Sequence, residues 1–100
     1  MKNNIKKLEN ILQVNFNNKK LLIQSLTHKS FNEKYNNEKL EFLGDRVIGL
    51  VISKKLLNLY PEENEGTIDK KFSNLVNKKT CMEIAVQLNL KKFIKTGNSF

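Results

Sequence analysis

The segment from Glu38 to Tyr60 constrains this chain more than any other, and Pro61 stops it because proline cannot continue a helix. Leu40, Phe42, Leu43, Val47, Ile48, Leu50, Val51, Ile52, Leu56 and Leu57 recur at helical spacings that cover most of the circumference. A helix apolar nearly all round is either the centre of a core or an element shared with another subunit. The shorter periodicities around it are helical too. Ile5, Leu8, Ile11 and Leu12 form one stripe, and Asn17-Asn18 caps a second helix carrying Leu21, Leu22, Ile23 and Leu26. Residues 29–37 read as a connection and residues 62–66 as a turn. Thr67 then caps a helix bearing Ile68, Phe72, Leu75 and Val76, and a last helix runs from about Thr80 to Leu88. There is no repeat and no hairpin pattern, so the expected fold class is all-α.

Three carboxylates break the apolar pattern of the long helix. At about 100° per residue, Glu38, Glu41 and Asp45 fall within an arc of roughly 60°. Like charges at these spacings each cost a few tenths of a kcal/mol. Nothing on the same helix relieves them: Ile48 and Gly49 follow Asp45, and Lys34, four residues before Glu38, belongs to the connection. The helix dipole accounts for Glu38 and in part for Glu41, but not for Asp45, two turns in. The pattern therefore favours a hard divalent cation, which takes a few carboxylates plus water, over a solvated acidic face.

Composition narrows the class further. A chain of 100 residues with 39% apolar and 28% charged residues makes one small folded domain. No apolar run reaches the roughly 18 residues of a membrane span. The start, Met1-Lys2-Asn3-Asn4, lacks the apolar block of a secretory signal. The single Cys81 excludes an internal disulfide, and no Cys/His grouping suggests zinc. An intracellular, cytoplasmic, soluble protein is expected. The net charge of +8 suits a polyanion. It is discounted because Arg46 is the only one of 18 basic residues that is not lysine, in a chain also crowded with Asn, which reads as compositional bias.

The run Glu38-Lys39-Leu40-Glu41-Phe42-Leu43-Gly44-Asp45 resembles the defining motif of the ribonuclease III family. The upstream Ser25-Leu26-Thr27-His28-Lys29-Ser30-Phe31, the Tyr60-Pro61 stop, Asn64-Glu65-Gly66, and Leu75-Val76-Asn77 followed by Ile84-Ala85 and Leu88-Asn89-Leu90 are similar to the family in the same register. The resemblance covers nearly the whole chain. It implies a divalent-metal endonuclease that hydrolyses phosphodiester bonds in double-stranded RNA and processes structured RNA, rRNA included. It also implies a homodimer packed through the central helix 38–60. By position, Glu41 and Asp45 match the family's metal-binding and catalytic carboxylates, while Glu38 and Glu65 match acidic residues lining the catalytic valley, counted with the metal site in outer-shell or substrate-side roles. Mg²⁺ is the implied cofactor, with Mn²⁺ an alternative because both accept oxygen ligands. Residues 1–100 would then be part of the catalytic domain, ending before its last helices and before the second acidic pair, since no Asp or Glu follows Glu83. No double-stranded-RNA-binding domain is expected within these 100 residues, and they are expected to be inactive alone. Arg46 stands where the family usually has a small residue, and Phe72 where a basic one is common. A non-catalytic dimeric RNA-binding module with the same fold is the alternative.

Other residues receive plainer readings. His28 is assigned a structural hydrogen-bonding role, for want of a sequence partner to orient it. Cys81 reads as a small buried hydrophobe, Phe31 and Tyr35 as packing residues, Gly44 as a packing notch within the monomer, and Asp69 as a first-turn partner of its helix dipole. Residues 95–100 read as loop.

Overall fold

The computed structural model describes residues 2–97. Its order is α1 (Lys2–Leu12), α2 (Lys19–Ser25), α3 (Glu38–Leu59), α4 (Glu65–Leu75), α5 (Lys78–Gln87) and a 3₁₀ helix (Leu90–Phe93). The described residues contain no strand, only an isolated parallel bridge between Thr27 and Lys95. The all-α expectation holds, and residues 98–100 of the expected terminal loop lie outside the described residues.

Asparagine side chains cap three of these helices. Asn18, Asn64 and Asn77 cap α2, α4 and α5, each side-chain oxygen accepting the N–H three residues on at 3.0, 2.9 and 2.8 Å. Thr67 is thus not the cap of α4: its own N–H is what Asn64 captures, and Glu65, expected in the turn, opens the helix. Likewise α5 begins at Lys78, two residues before the expected start. Asp69 falls past the first turn of α4, where Glu65 is the acidic residue.

The packed core is small and sits at one end of the molecule. Leu8, Leu22 and Phe93 are buried together, with Ile5, Leu12, Phe16, Leu26 and Leu90 packed against them. A clip closes the α1–α2 corner: Glu9 Oε2 accepts the Phe16 N–H at 2.7 Å and Lys19 Nζ at 2.6 Å. These donors, the lysine first, hold the Glu9 carboxyl below the usual carboxylate range. Segment 94–97 closes the same end. Lys95 donates its N–H to Leu26 O and accepts from His28 N, at 2.8 and 2.9 Å. Gly97 N–H donates to Ser30 Oγ at 2.9 Å, and a Cβ on Gly97 would collide with the Ser30 carbonyl. Ser30 also donates its backbone N–H to His28 Nδ1 at 3.0 Å, which agrees with the structural role expected of that histidine.

The long helix behaves differently. α4 packs back across α3, with the Phe72 ring 3.6 Å from where a Cβ on Gly49 would stand. Of the α3 side chains only Leu56 is buried. Leu43, Val47, Leu50, Val51 and Leu57 are all exposed, with Leu50 at 72%. Of the two expected arrangements, the core-centre one is therefore corrected: within this chain α3 is an open helix. The molecule is correspondingly elongated, with a radius of gyration of 16.1 Å against the roughly 13 Å usual at this length.

Candidate functional site

The start of α3 is fixed by the connection before it. Asn32 Oδ1 accepts the N–H groups of Lys34 and Tyr35 at 3.0 and 2.9 Å, and Asn36 Nδ2 donates to the carbonyls of Asn32 and Glu33. Asn36 Oδ1 in turn accepts the Glu38 N–H at 3.1 Å. The loop is tied to itself and then to the first residue of the helix, which sets the helix rotation and hence where its carboxylates point.

They point into a groove. Glu38, Glu41 and Asp45 line it together with Phe42, Gly44, Arg46 and Ile48; Val76, Asn77, Lys78 and Cys81 form the opposite wall. The three acids predicted to share an arc do so. Glu65 does not line the groove; it opens α4, beyond the C-terminal end of α3. Asp45 is exposed, with its side chain 71% accessible, and so is Cys81, which the sequence places on a buried face. Cys81 follows its apolar stripe, but that stripe borders open space. Gly44 likewise fills no notch: a Cβ there would meet nothing within 4 Å.

Two cations flank the acids. Lys29 Nζ lies 3.7 Å from Glu38 Oε1, and Arg46 Nη1 lies 3.6 Å from Asp45 Oδ2. Arg46 is held in place by a 3.2 Å bond to the Phe42 carbonyl and by stacking 3.8 Å from the Phe42 ring centroid. The relieving lysine is thus Lys29, not Lys34, and the expectation that nothing on the helix itself relieves the acids is corrected by Arg46, which pairs with Asp45 from the same helix. Both ion pairs are solvent-exposed, and such pairs are worth about 0–1 kcal/mol. Among the described residues no cation lies within 4 Å of Glu41, in the middle of the arc. Sequence reasoning missed the second wall, Asn77 and Lys78, because it comes from tertiary placement and leaves no local signal.

The donor set was tested against a divalent ion. Among the described residues no three His, Cys, Asp or Glu side chains converge closely enough to form a metal cluster. Mg²⁺ does not need three, because it keeps several waters and takes one or two carboxylates. Glu41 and Asp45 supply hard oxygen donors one turn apart, and the open space over Gly44 leaves room for a hydrated ion. The residues fit that mode.

Comparison with known proteins gives the arrangement a context. A family model described as Ribonuclease-III-like matches residues 18–99. Ribonuclease 3 of Pelagibacter ubique is 61% identical over 98 residues, covering 98% of this chain and 44% of that protein. Ribonuclease 3 of Campylobacter jejuni is 50% identical over 91 residues, covering 91% of this chain and 41% of that one. A crystal structure of the nuclease domain of ribonuclease III from Campylobacter jejuni has a TM-score of 0.90 at 47% identity, covering 99% of this chain and 67% of its own. A second structure of that domain, described for flexibility in a region involved in dimer formation, also gives 0.90, covering 95% of this chain and 66% of its own. The chain thus spans less than half the length of these full relatives.

Proposed function

The chain belongs to the ribonuclease III family, and from that premise we propose that it forms part of the catalytic domain of an endoribonuclease acting on double-stranded RNA with a divalent cation. The observation that carries the reading is the placement of Glu41 and Asp45 one turn apart on α3, facing an open groove beside Gly44. In this reading Glu41 and Asp45 hold Mg²⁺ or Mn²⁺ and Glu38 acts behind them, while Glu65, off the groove, takes no part in this half of the site. When bound, the ion would lower the pKa of a coordinated water so that hydroxide is available as the nucleophile, and its charge would stabilise the departing oxygen. Asp45 and Glu41 orient that ion, and Lys78 on the facing wall is placed to meet a phosphate. Duplex RNA is read by A-form shape and by phosphate and 2′-hydroxyl contacts, which surface lysines serve.

The apolar side of α3 supports the second half of the proposal. Leu43, Val47, Leu50, Val51 and Leu57 are exposed, roughly opposite the carboxylate arc at 100° per residue. An apolar stripe of that length marks an interface, and a second copy docked along α3 satisfies it. The carboxylates offered by one such chain amount to half a site, so the 100 residues alone are proposed to be inactive.

A chimaera tests the reading. This chain replaces the aligned part of the Campylobacter jejuni enzyme, and cleavage of duplex RNA is assayed with Mg²⁺. The chimaera is expected to cleave, and Asp45→Asn to lower kcat by about 10²-fold or more, consistent with loss of metal-held charge stabilisation. Binding of duplex without cleavage by the unaltered chimaera would favour the non-catalytic module instead.

A further inference from the structure

A second groove lies apart from the carboxylates, between α2 and the connection that follows it. Phe31 and Tyr35, expected to pack, are exposed at 55% and 69% and line this groove. Lys20 and Lys95 stand at its edge, and no Asp or Glu lines it. Lys95 Nζ sits 5.6 Å from the centroid of the Phe31 ring. The rings stand on a braced support: Asn32 Oδ1 accepts the Tyr35 N–H at 2.9 Å, and Gln24 Nε2 donates to the Asn36 carbonyl at 3.2 Å.

Two exposed rings on a fixed loop, with Lys20 and Lys95 beside them and Glu33 of the same loop lining the adjoining pocket rather than this groove, form a surface on which unpaired bases stack while their phosphates meet ammonium groups. A duplex cannot use the rings, because its bases are already stacked and its edges turn inward. We propose that this groove binds one or two unpaired nucleotides of a single-stranded RNA segment. The site is independent of the acidic groove, so it holds or fails whatever the fate of the metal-site reading. It gives the chain a means of sensing a single-stranded flank or bulge beside a duplex.

The test uses this chain and fluorescein-labelled hexa-adenylate at low salt, followed by anisotropy. Phe31→Ser and Tyr35→Ser are each expected to weaken binding about fivefold or more, the usual loss when one base loses its stacking partner. Tyr35→Trp keeps a ring and is expected to bind at least as tightly, with its emission quenched; the chain has no other Trp. Lys20→Glu is expected to weaken binding more than Lys54→Glu, a charge change on α3 away from the groove. A smaller loss for either serine variant, an unquenched indole, or equal effects at Lys20 and Lys54 would overturn the proposal. So would a blunt-ended duplex of the same length that competes as well as the single strand.

Discussion

The corner formed by α1, α2 and the 3₁₀ helix and the arm formed by α3, α4 and α5 are both built from amphipathic or apolar helices, yet only the first is closed. Leu8 is 1% exposed in the corner, whereas Leu50 is 72% exposed on the arm. The corner is sealed by directional bonds as well as by packing: the Glu9 clip and the pairing of Lys95 with Leu26 and His28. The arm has its α3–α4 crossing, a Lys71–Glu63 ion pair beside it and the packing of α5 onto the 3₁₀ helix, but none of these covers the apolar side of α3. The contrast shows that an apolar stripe specifies a helix and a need for cover, while the cover itself depends on what is brought opposite.

Four substitutions break or sharpen this contrast. The largest effect is expected at the core: Leu8→Ala removes a fully buried side chain and costs about 2–5 kcal/mol, enough to unfold a chain with so small a core. Leu50→Ser is its counterpart and changes monomer stability by less than about 0.5 kcal/mol, while weakening self-association in sedimentation. Urea titration of both variants, at a concentration where the chain is monomeric, checks the pair; equal losses would erase the distinction between the two regions.

A smaller effect, confined to one pH range, is expected at the clip. The Glu9 carboxyl titrates below its unfolded value because Lys19 and the Phe16 N–H stabilise its charge. Its contribution is therefore present above the unfolded pKa and disappears as the pH falls through the folded one. Glu9→Gln should lower the Tm at neutral pH, and the gap to the parent should close in acid. A gap that persists unchanged at low pH would assign the effect to packing.

A further small effect is expected on the arm. Gly44→Ala meets no neighbour and raises helix propensity, so it stabilises the chain by about 1 kcal/mol or less. In the chimaera the same methyl intrudes on the space assigned to a hydrated ion and should weaken Mn²⁺ binding. Stabilisation with unaltered Mn²⁺ affinity would leave Gly44 outside the site.

Much of this was legible in the sequence, for identifiable reasons. α3 was visible because its apolar periodicity meets Pro61 one residue beyond Tyr60, and the shared arc of Glu38, Glu41 and Asp45 follows from helix geometry alone. Asn64 and Asn77 do not stand out as caps in a chain crowded with Asn, where the residue type alone carries little positional signal, whereas Asn18 directly precedes an apolar helical stripe. Thr67 drew attention as a good capping residue, yet the acceptor three positions earlier wins. Cys81, Phe31 and Tyr35 were placed on the correct elements and assigned the wrong exposure. Periodicity reports which residues share a face, not whether anything covers that face. The wall of Asn77 and Lys78 required tertiary placement and left no trace in local pattern.

The bond from Gly97 to Ser30 Oγ spans 67 positions, and it has a consequence for the order of events during synthesis. The loop that aims the carboxylate helix is anchored by a residue made long after it. While the nascent polypeptide is still growing, α2 and the first turns of α3 can form by local interactions, but their final brace waits for the segment around Lys95 to leave the ribosome. Until then the segment from Leu26 to Ser30, and with it the entry into α3, lacks its long-range tie.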